Sequence, residues 1–462
     1  MPASGRRGGL AMAEQSQYEP SVGVLPIQEQ APAARPDERA KLTVTLVGLV
    51  LYLFVITSNR VPLGEASIII AAGGLLVNPT SLKLPPYLKW LLAFAVWVSI
   101  AATQSTYPSV VAESVTTLWK LVIIVFIATN ALRTRPQVRL FMVSFLACFM
   151  LFPVRGALSN FFIYHNDVQG RAIWNFVYSN PNDLGAMAML QLSMALTIAA
   201  AEPKGWIRRA AYLSVLLLVF LILLTQSRGV FIGLILFVAM LIAGQRRRLR
   251  LIVRLAVVAV ILVALAPSSV WERLGTLRHA TTVQTLDEVD GEEGSARQRW
   301  EIWRVATKII REHPVYGVGL GAYKNNHRIY ALQSEFNPTA RGGRDTHSLY
   351  LNVLAETGYI GLALYLGMLT AIFMAAERTR RKCKRVLSVV AARQFLFLEA
   401  GLVAFLTAAI FGSLPYLPHL LLHLVLLQVL AVLYRREVEA QSSRQAQVTE
   451  RFLGTMVPAE IA

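Results

Sequence analysis

Apolar residues in this chain arrive in long continuous runs that do not alternate with period two. Charge-free stretches occupy residues 42–59, 66–82, 90–112, 140–154, 184–201, 210–227, 229–245 and 255–270. Two later stretches, 348–376 and 394–434, are broken only by Glu356 and Glu399. These lengths match the roughly 17–25 residues that carry a helix across a bilayer. Residues 110–132 add a span carrying Glu113 and Lys120, and 394–434 holds two spans with a turn at 412–418. The pattern predicts an all-α polytopic membrane protein with about 12 transmembrane helices and no strands.

Composition agrees. Of 462 residues, 55% are apolar and 16% charged, with mean hydropathy +0.50. Soluble domains average about 45–50% and about 25%. A string of soluble domains, a disordered chain, a collagen-like fibre and a disulfide scaffold are excluded. The net charge of +18 would suit nucleic acid, but its distribution points elsewhere. With the N-terminus in the cytoplasm, the loops at 78–89, 133–139, 202–209, 244–254 and 377–393 share one side and carry the basic clusters. That is the positive-inside pattern, and it removes nucleic acid as a partner. Cys148 falls in a span and Cys383 in a cytoplasmic loop, so neither a disulfide nor a metal site is expected.

Residues 1–41 lack the apolar core of a signal peptide and read as a disordered cytoplasmic tail. Transmembrane helices 1–9 then fill 42–266, and a large outer loop containing helices, between spans 9 and 10, fills 267–346. Helices 10–12 fill 347–434, and a second cytoplasmic tail fills 435–462. No internal repeat is visible. Outer segments as long as 152–183 and 267–346 are usually functional. In the second, Ser295 caps a predicted helix 296–312 ended by His313-Pro314. Trp300, Trp303, Ala306 and Ile310 line its apolar face, opposite Arg304, Lys308 and Arg311.

Several residues carry candidate chemistry. Arg228, in Gln226-Ser227-Arg228-Gly229, opens a helix where backbone N–H groups favour an anion; a snorkelling arginine is the alternative. His347 follows Arg341-Gly-Gly-Arg344 and falls in the first turn of a span, with Asp345 or Thr346 as cap. A helix N-terminus favours the neutral imidazole, the form that accepts a proton; a merely capping histidine is the alternative. Glu356 lies within a span, as a functional carboxylate or as the partner of a helix irregularity near Gly358 and Gly361. Gly317-Val-Gly-Leu-Gly321 reads as a turn, since no strand precedes it. His419 and His423 lack companion ligands. Glu113 and Lys120 share a helix face as a structural pair. Asn182 or Asp183 caps the span that follows, and Arg155 and Arg171 add positive charge near the first outer loop.

Four stretches together resemble the O-antigen ligase and polymerase superfamily of bacterial envelope glycan enzymes. They are Ser179-Asn-Pro-Asn-Asp-Leu-Gly185; Thr225-Gln-Ser-Arg-Gly229; Arg299-Trp-Glu-Ile-Trp303 with His313-Pro-Val-Tyr-Gly-Val-Gly-Leu-Gly-Ala-Tyr323; and the run from His347 to Gly361. The resemblance covers roughly residues 40–435. It implies a GT-C-like enzyme at the periplasmic face of the bacterial inner membrane, with both termini cytoplasmic. Its reaction would move a glycan from a polyprenyl-diphosphate carrier to an acceptor hydroxyl on lipid A core or a similar glycolipid. It implies no cofactor and no metal, with inversion at the transferred sugar. His347 would be the catalytic residue. Arg228 and Arg299, with Arg297, Arg341, Arg344 and Arg171 as further cations, would bind the diphosphate or substrate, and Glu356 would give intramembrane support. Polymerases of O-antigen or exopolysaccharide and protein O-oligosaccharyltransferases share these marks. Outside the class, a 12-span transporter would show a repeat or paired broken helices.

Overall fold

The computed structural model describes residues 42–59, 62–77, 82–244, 248–250, 252–253, 256–257, 292–412 and 415–455. Among them the protein is helical, with one isolated bridge, Val168 to Arg171, and no strand. Among the described residues, nine helices with defined bounds precede the large outer segment, and 248–250, 252–253 and 256–257 are also helical. The nine are α1 (Val44–Ser58), α2 (Gly64–Val77), α3 (Pro86–Ala101), α4 (Pro108–Ala131), α5 (Arg135–Phe149), α6 (Arg155–Phe162), α7 (Pro181–Ala201), α8 (Gly205–Thr225) and α9 (Arg228–Ala243). Five follow: α10 (Glu292–Glu312), α11 (Tyr323–Tyr330), α12 (Leu349–Val386), α13 (Val389–Ala408) and α14 (Pro418–Thr455).

Eight helical segments among the described residues are long and apolar enough to cross a membrane, and α1, α2 and α9 are shorter apolar helices. Eleven of the twelve predicted spans therefore have a helix. The span read at 255–270 lies outside the described residues save 256–257. So do the tail 1–41 and 267–291 of the outer loop.

Three boundaries differ from the sequence reading. The segment from 152 is not loop, because α5 runs through a π-turn at Met150–Val154 into α6. Pro153 sits in that turn; proline has no N–H and crowds the carbonyl a turn earlier, so the ladder widens instead of stopping. The basic run from Glu377 is helix rather than loop, since α12 continues to Val386. The helix predicted over 296–312 starts earlier, at Glu292.

The interior is built on α7, α13 and α14, the most deeply buried spans. Small residues let backbones approach, as in many membrane helix pairs. A Cβ on Gly233 would stand 2.6 Å from the Ala404 carbonyl oxygen, and one on Gly401 2.3 Å from Ser193. Several ion pairs sit at one end of the bundle. Arg139 grips Glu202 through two bonds of 2.6 and 2.7 Å, Arg135 meets Glu437, and Arg380 Nε lies 2.8 Å from the buried Glu399. Glu399 is thus the partner of a basic residue at a helix end. The chemistry-bearing residues sit at the opposite end.

Candidate active site

At that opposite end the N-termini of α7, α9 and α12 meet the amphipathic α10. Asn180 caps α7, accepting a hydrogen bond from the Asn182 N–H at 2.9 Å. This cap is earlier than the Asn182 or Asp183 read from sequence, because Pro181 already has the φ of a first helical residue. Asp183 is left in the first turn with Oδ1 unpartnered.

The α8–α9 turn is as tight as its sequence implies. Gln226 adopts φ +47°, and its side chain donates to the Gly170 carbonyl at 2.8 Å. Ser227 caps α9, accepting from the Val230 N–H, and Arg228 is the first helical residue, with an exposed side chain. Arg171 braces this turn. Its Nε donates to the Thr225 carbonyl at 2.9 Å and its Nη2 to Asn182 Oδ1 at 2.7 Å. The sequence put Arg171 among ligand-binding cations; these bonds make it a strap between the turn and α7. Arg155 is exposed in α6.

Helix α10 buries Ile302, Val305, Ala306, Ile309 and Ile310, whereas Trp300 is 62% exposed and leaves the predicted apolar stripe. Its charged face is engaged: Arg304 lies 3.0 Å from Glu301, Lys308 pairs with Glu335, and both cations lie over the Phe336 ring. Trp303 Nε1 donates to the Thr346 carbonyl at 2.8 Å, and its ring stacks on Phe411. This anchor sets Arg299, one turn earlier, beside the site. Burial first, then Arg228, lowers the Arg299 guanidinium pKa from its ordinary value, and Asp183 opposes them. Arg228 and Asp183 are therefore both within electrostatic reach of Arg299. The backbone of Arg297 lies in α10, but its side chain lies outside the described residues.

His347 stands before α12, not in its first turn. The Thr346 hydroxyl accepts from the Ser348 N–H at 3.2 Å and donates to the Ser348 carbonyl at 2.9 Å. That exchange holds Ser348 outside the helix, which starts at Leu349, and leaves His347 at φ +50°. The cause of its neutrality also differs from the one read in the sequence. Burial lowers the imidazole pKa most, Arg299 next, Asp345 opposes, and Arg344 adds a smaller push. Arg341 and Arg344 are exposed, with Arg344 Nε donating to the Arg341 carbonyl at 3.3 Å.

The glycine-rich loop is a clamp on a broken helix. Gly358 takes φ +70° and ψ −176° inside α12, freeing the carbonyls around it. The Ala355 and Glu356 carbonyls accept from the Val318 and Gly319 N–H groups at 2.9 and 3.0 Å, and the Thr357 carbonyl from Trp97 Nε1 at 2.9 Å. The Glu356 carboxylate takes the N–H groups of Gly321 and Tyr323, while its Oε2 has no partner. Of the two sequence readings of Glu356, this geometry supports the one that places it beside a helix irregularity.

A cavity of about 490 Å³ opens beside His347, lined by Asp183, Asp345, Glu356, Tyr323 and Lys324 among others, and it reaches Glu113. Glu113 does not pair with Lys120; Lys120 lies 2.5 Å from Glu65. His419 and His423 bond separately, to the Tyr178 hydroxyl at 3.0 Å and the Leu398 carbonyl at 2.9 Å. Sequence reasoning missed His327. It is fully buried, donates Nδ1–H to the Gly342 carbonyl at 2.9 Å, and so ties α11 to the stretch before His347. No local pattern marks that contact, since its partner is a backbone group fifteen residues away.

No curated protein matches this chain. Residues 213–366 match the family model described as O-antigen ligase. That third of the chain contains Arg228, Arg299, Arg344, His347 and Glu356, while Arg171 and Asp183 precede it. The match supports placing this all-α multi-pass protein with the O-antigen ligase-like superfamily, and implies an O-antigen ligase or polymerase type of function.

Proposed function

We propose that the protein transfers a glycan from a polyprenyl-diphosphate carrier to an acceptor hydroxyl, at the periplasmic face of a bacterial inner membrane. One observation carries the reading: Arg299 is within electrostatic reach of both Arg228 and His347. The reaction needs all three together. The acceptor oxygen attacks the anomeric carbon and loses its proton to the neutral His347 ring. The bond from that carbon to the diphosphate oxygen breaks, and the anion leaves toward Arg228 and Arg299. One displacement inverts the anomeric centre. Fixed guanidinium groups stabilise the developing phosphate charge through charge-assisted hydrogen bonds, without a metal or cofactor in the scheme. The α9 N-terminus adds the positive end of its helix dipole. Asp183 offsets the repulsion between the two arginines before the donor arrives.

The test is transfer by the purified protein in detergent, from a polyprenyl-diphosphate-linked oligosaccharide to lipid A core, to a growing glycan and to a pilin. Transfer to lipid A core with stoichiometric release of polyprenyl diphosphate is the expected result. Transfer only to a growing glycan makes the protein a polymerase, and transfer only to pilin makes it a protein glycosyltransferase. No release with any acceptor overturns the reading.

A further inference from the structure

Resting on the glycan-transfer reading above, we propose that the cavity beside His347 is the acceptor subsite and takes a neutral, hydroxyl-rich sugar ring. Unpartnered polar atoms carry the argument. Buried donors and acceptors almost always find partners, so an orphan at a cavity wall calls for a ligand or solvent. Glu356 is 4% exposed and Tyr323 1% exposed, yet Glu356 Oε2 and the Tyr323 hydroxyl have no partner, and both residues line the cavity. Asp183 Oδ1, on the same wall, is a third. The arrangement is rigid. The Glu356 carboxylate already holds the backbone N–H groups of Gly321 and Tyr323, so the loop that carries the Tyr323 hydroxyl is fixed to the residue that carries the free oxygen. Two acceptors and two hydroxyls, the second from Tyr416, across a cavity of about 490 Å³ suit a ring of hydroxyl groups. That volume falls within the range of about 300–1,000 Å³ typical of small-ligand sites.

Charge selects the sugar class. Two exposed carboxylates, Glu113 and Asp345, line it against one lysine, Lys324, while Glu356 is buried and Asp183 half-buried, where the charged form is disfavoured. Arg228 and Arg299 are not part of it. A phosphorylated or uronic acceptor meets repulsion there, while the diphosphate of the donor is drawn to the arginines. The two substrates are thereby sorted to opposite sides of His347, the acceptor hydroxyl toward one face of the ring and the leaving group toward the other.

The test uses the full-length protein in nanodiscs, with methyl α-glucopyranoside and its 6-phosphate as probes. Binding is read without donor by saturation-transfer NMR; acceptor KM, donor KM and kcat are read in the transfer assay. Tyr323→Phe deletes only a hydroxyl that has no protein partner, so its thermal unfolding should match wild type. The expected result is binding of the neutral glycoside and not of the phosphate. Tyr323→Phe should weaken that binding and raise acceptor KM about 2- to 12-fold, the value of one neutral hydrogen bond, with donor KM unmoved. Failure of the wild type to bind the neutral glycoside, equal binding of the 6-phosphate, or a Tyr323→Phe acceptor KM equal to wild type overturns the subsite. Tyr323-dependent binding without transfer to any acceptor leaves the subsite standing and removes the ligase reading instead.

Discussion

His347 is held at φ +50° by the Thr346–Ser348 exchange, a backbone region that costs a non-glycine residue energy and persists only where its surroundings impose it. His347→Ala should reduce transfer about 10²–10⁴-fold, the usual range for a general acid–base group. Donor affinity, measured on the same purified variant, should hold; its loss with unchanged chemistry would falsify the base assignment. The pH dependence follows from the lowered pKa. The base must be neutral, and burial and Arg299 keep it neutral below the ordinary imidazole value of 6.5. The rate should therefore stay level as pH falls through 6.5 and drop only in stronger acid. Stability moves the same way: the unfolded ring takes a proton first, so folding weakens as pH falls below the unfolded value. Arg299→Gln should move the acid limb upward, because a positive neighbour is gone. It should also cost about 10²–10³-fold in rate. Arg299→Lys should recover only part of it, for want of the planar fork. An acid limb that stays in place in Arg299→Gln would show that the two residues are not coupled.

At the scale of elements, the break in α12 and the glycine loop that covers it form one unit. A Cβ on Gly358 would stand 1.9 Å from the Val315 carbonyl oxygen, at a φ that disfavours any side chain. Gly358→Ala should therefore lower thermal stability in detergent by more than about 2 kcal/mol, whereas alanine at Gly73, with nothing within 4 Å, should not. Equal melting of the two variants would mean the clamp adds nothing. The sequence shows glycines at 317, 319, 321 and 358 but not that they face each other, since the pairing joins segments some forty residues apart. The apolar face of α10 was legible from helical spacing. Trp300 left it because burial depends on which neighbours the docked helix meets, and those are set by the Trp303 anchor to Thr346.

For the whole molecule, the ion pairs of Arg135, Arg139 and Arg380 lie at the end opposite His347. With the positive-inside rule, the proposed function expects the site outside. Reporter fusions at Gly294 and Thr379 should report opposite sides, the first periplasmic and the second cytoplasmic. Both on one side would remove the outer-face assignment, and the lipid-linked donor with it.

Sequence alone determined the class of molecule. Unbroken apolar runs leave the backbone no choice but helix in a bilayer, so the all-α, multi-pass class is a one-dimensional property, and charge bias adds an expected orientation. Sequence also marked Arg228 and His347 at span ends and Glu356 within a span, because such residues stand out against apolar neighbours, while Arg299 came from the family resemblance. Tertiary structure decided what those residues do to one another. Electrostatic coupling depends on distance and burial, and neither is written in the spacing of residues 183, 228, 299 and 347. The neutrality of His347 shows the difference: the sequence attributed it to a helix N-terminus and to nearby Arg341 and Arg344, whereas burial and Arg299 from another helix lead and Arg344 adds a smaller push. Tyr323 and Asp183 became visible only as atoms without partners, a property that exists once every other polar group has found its own.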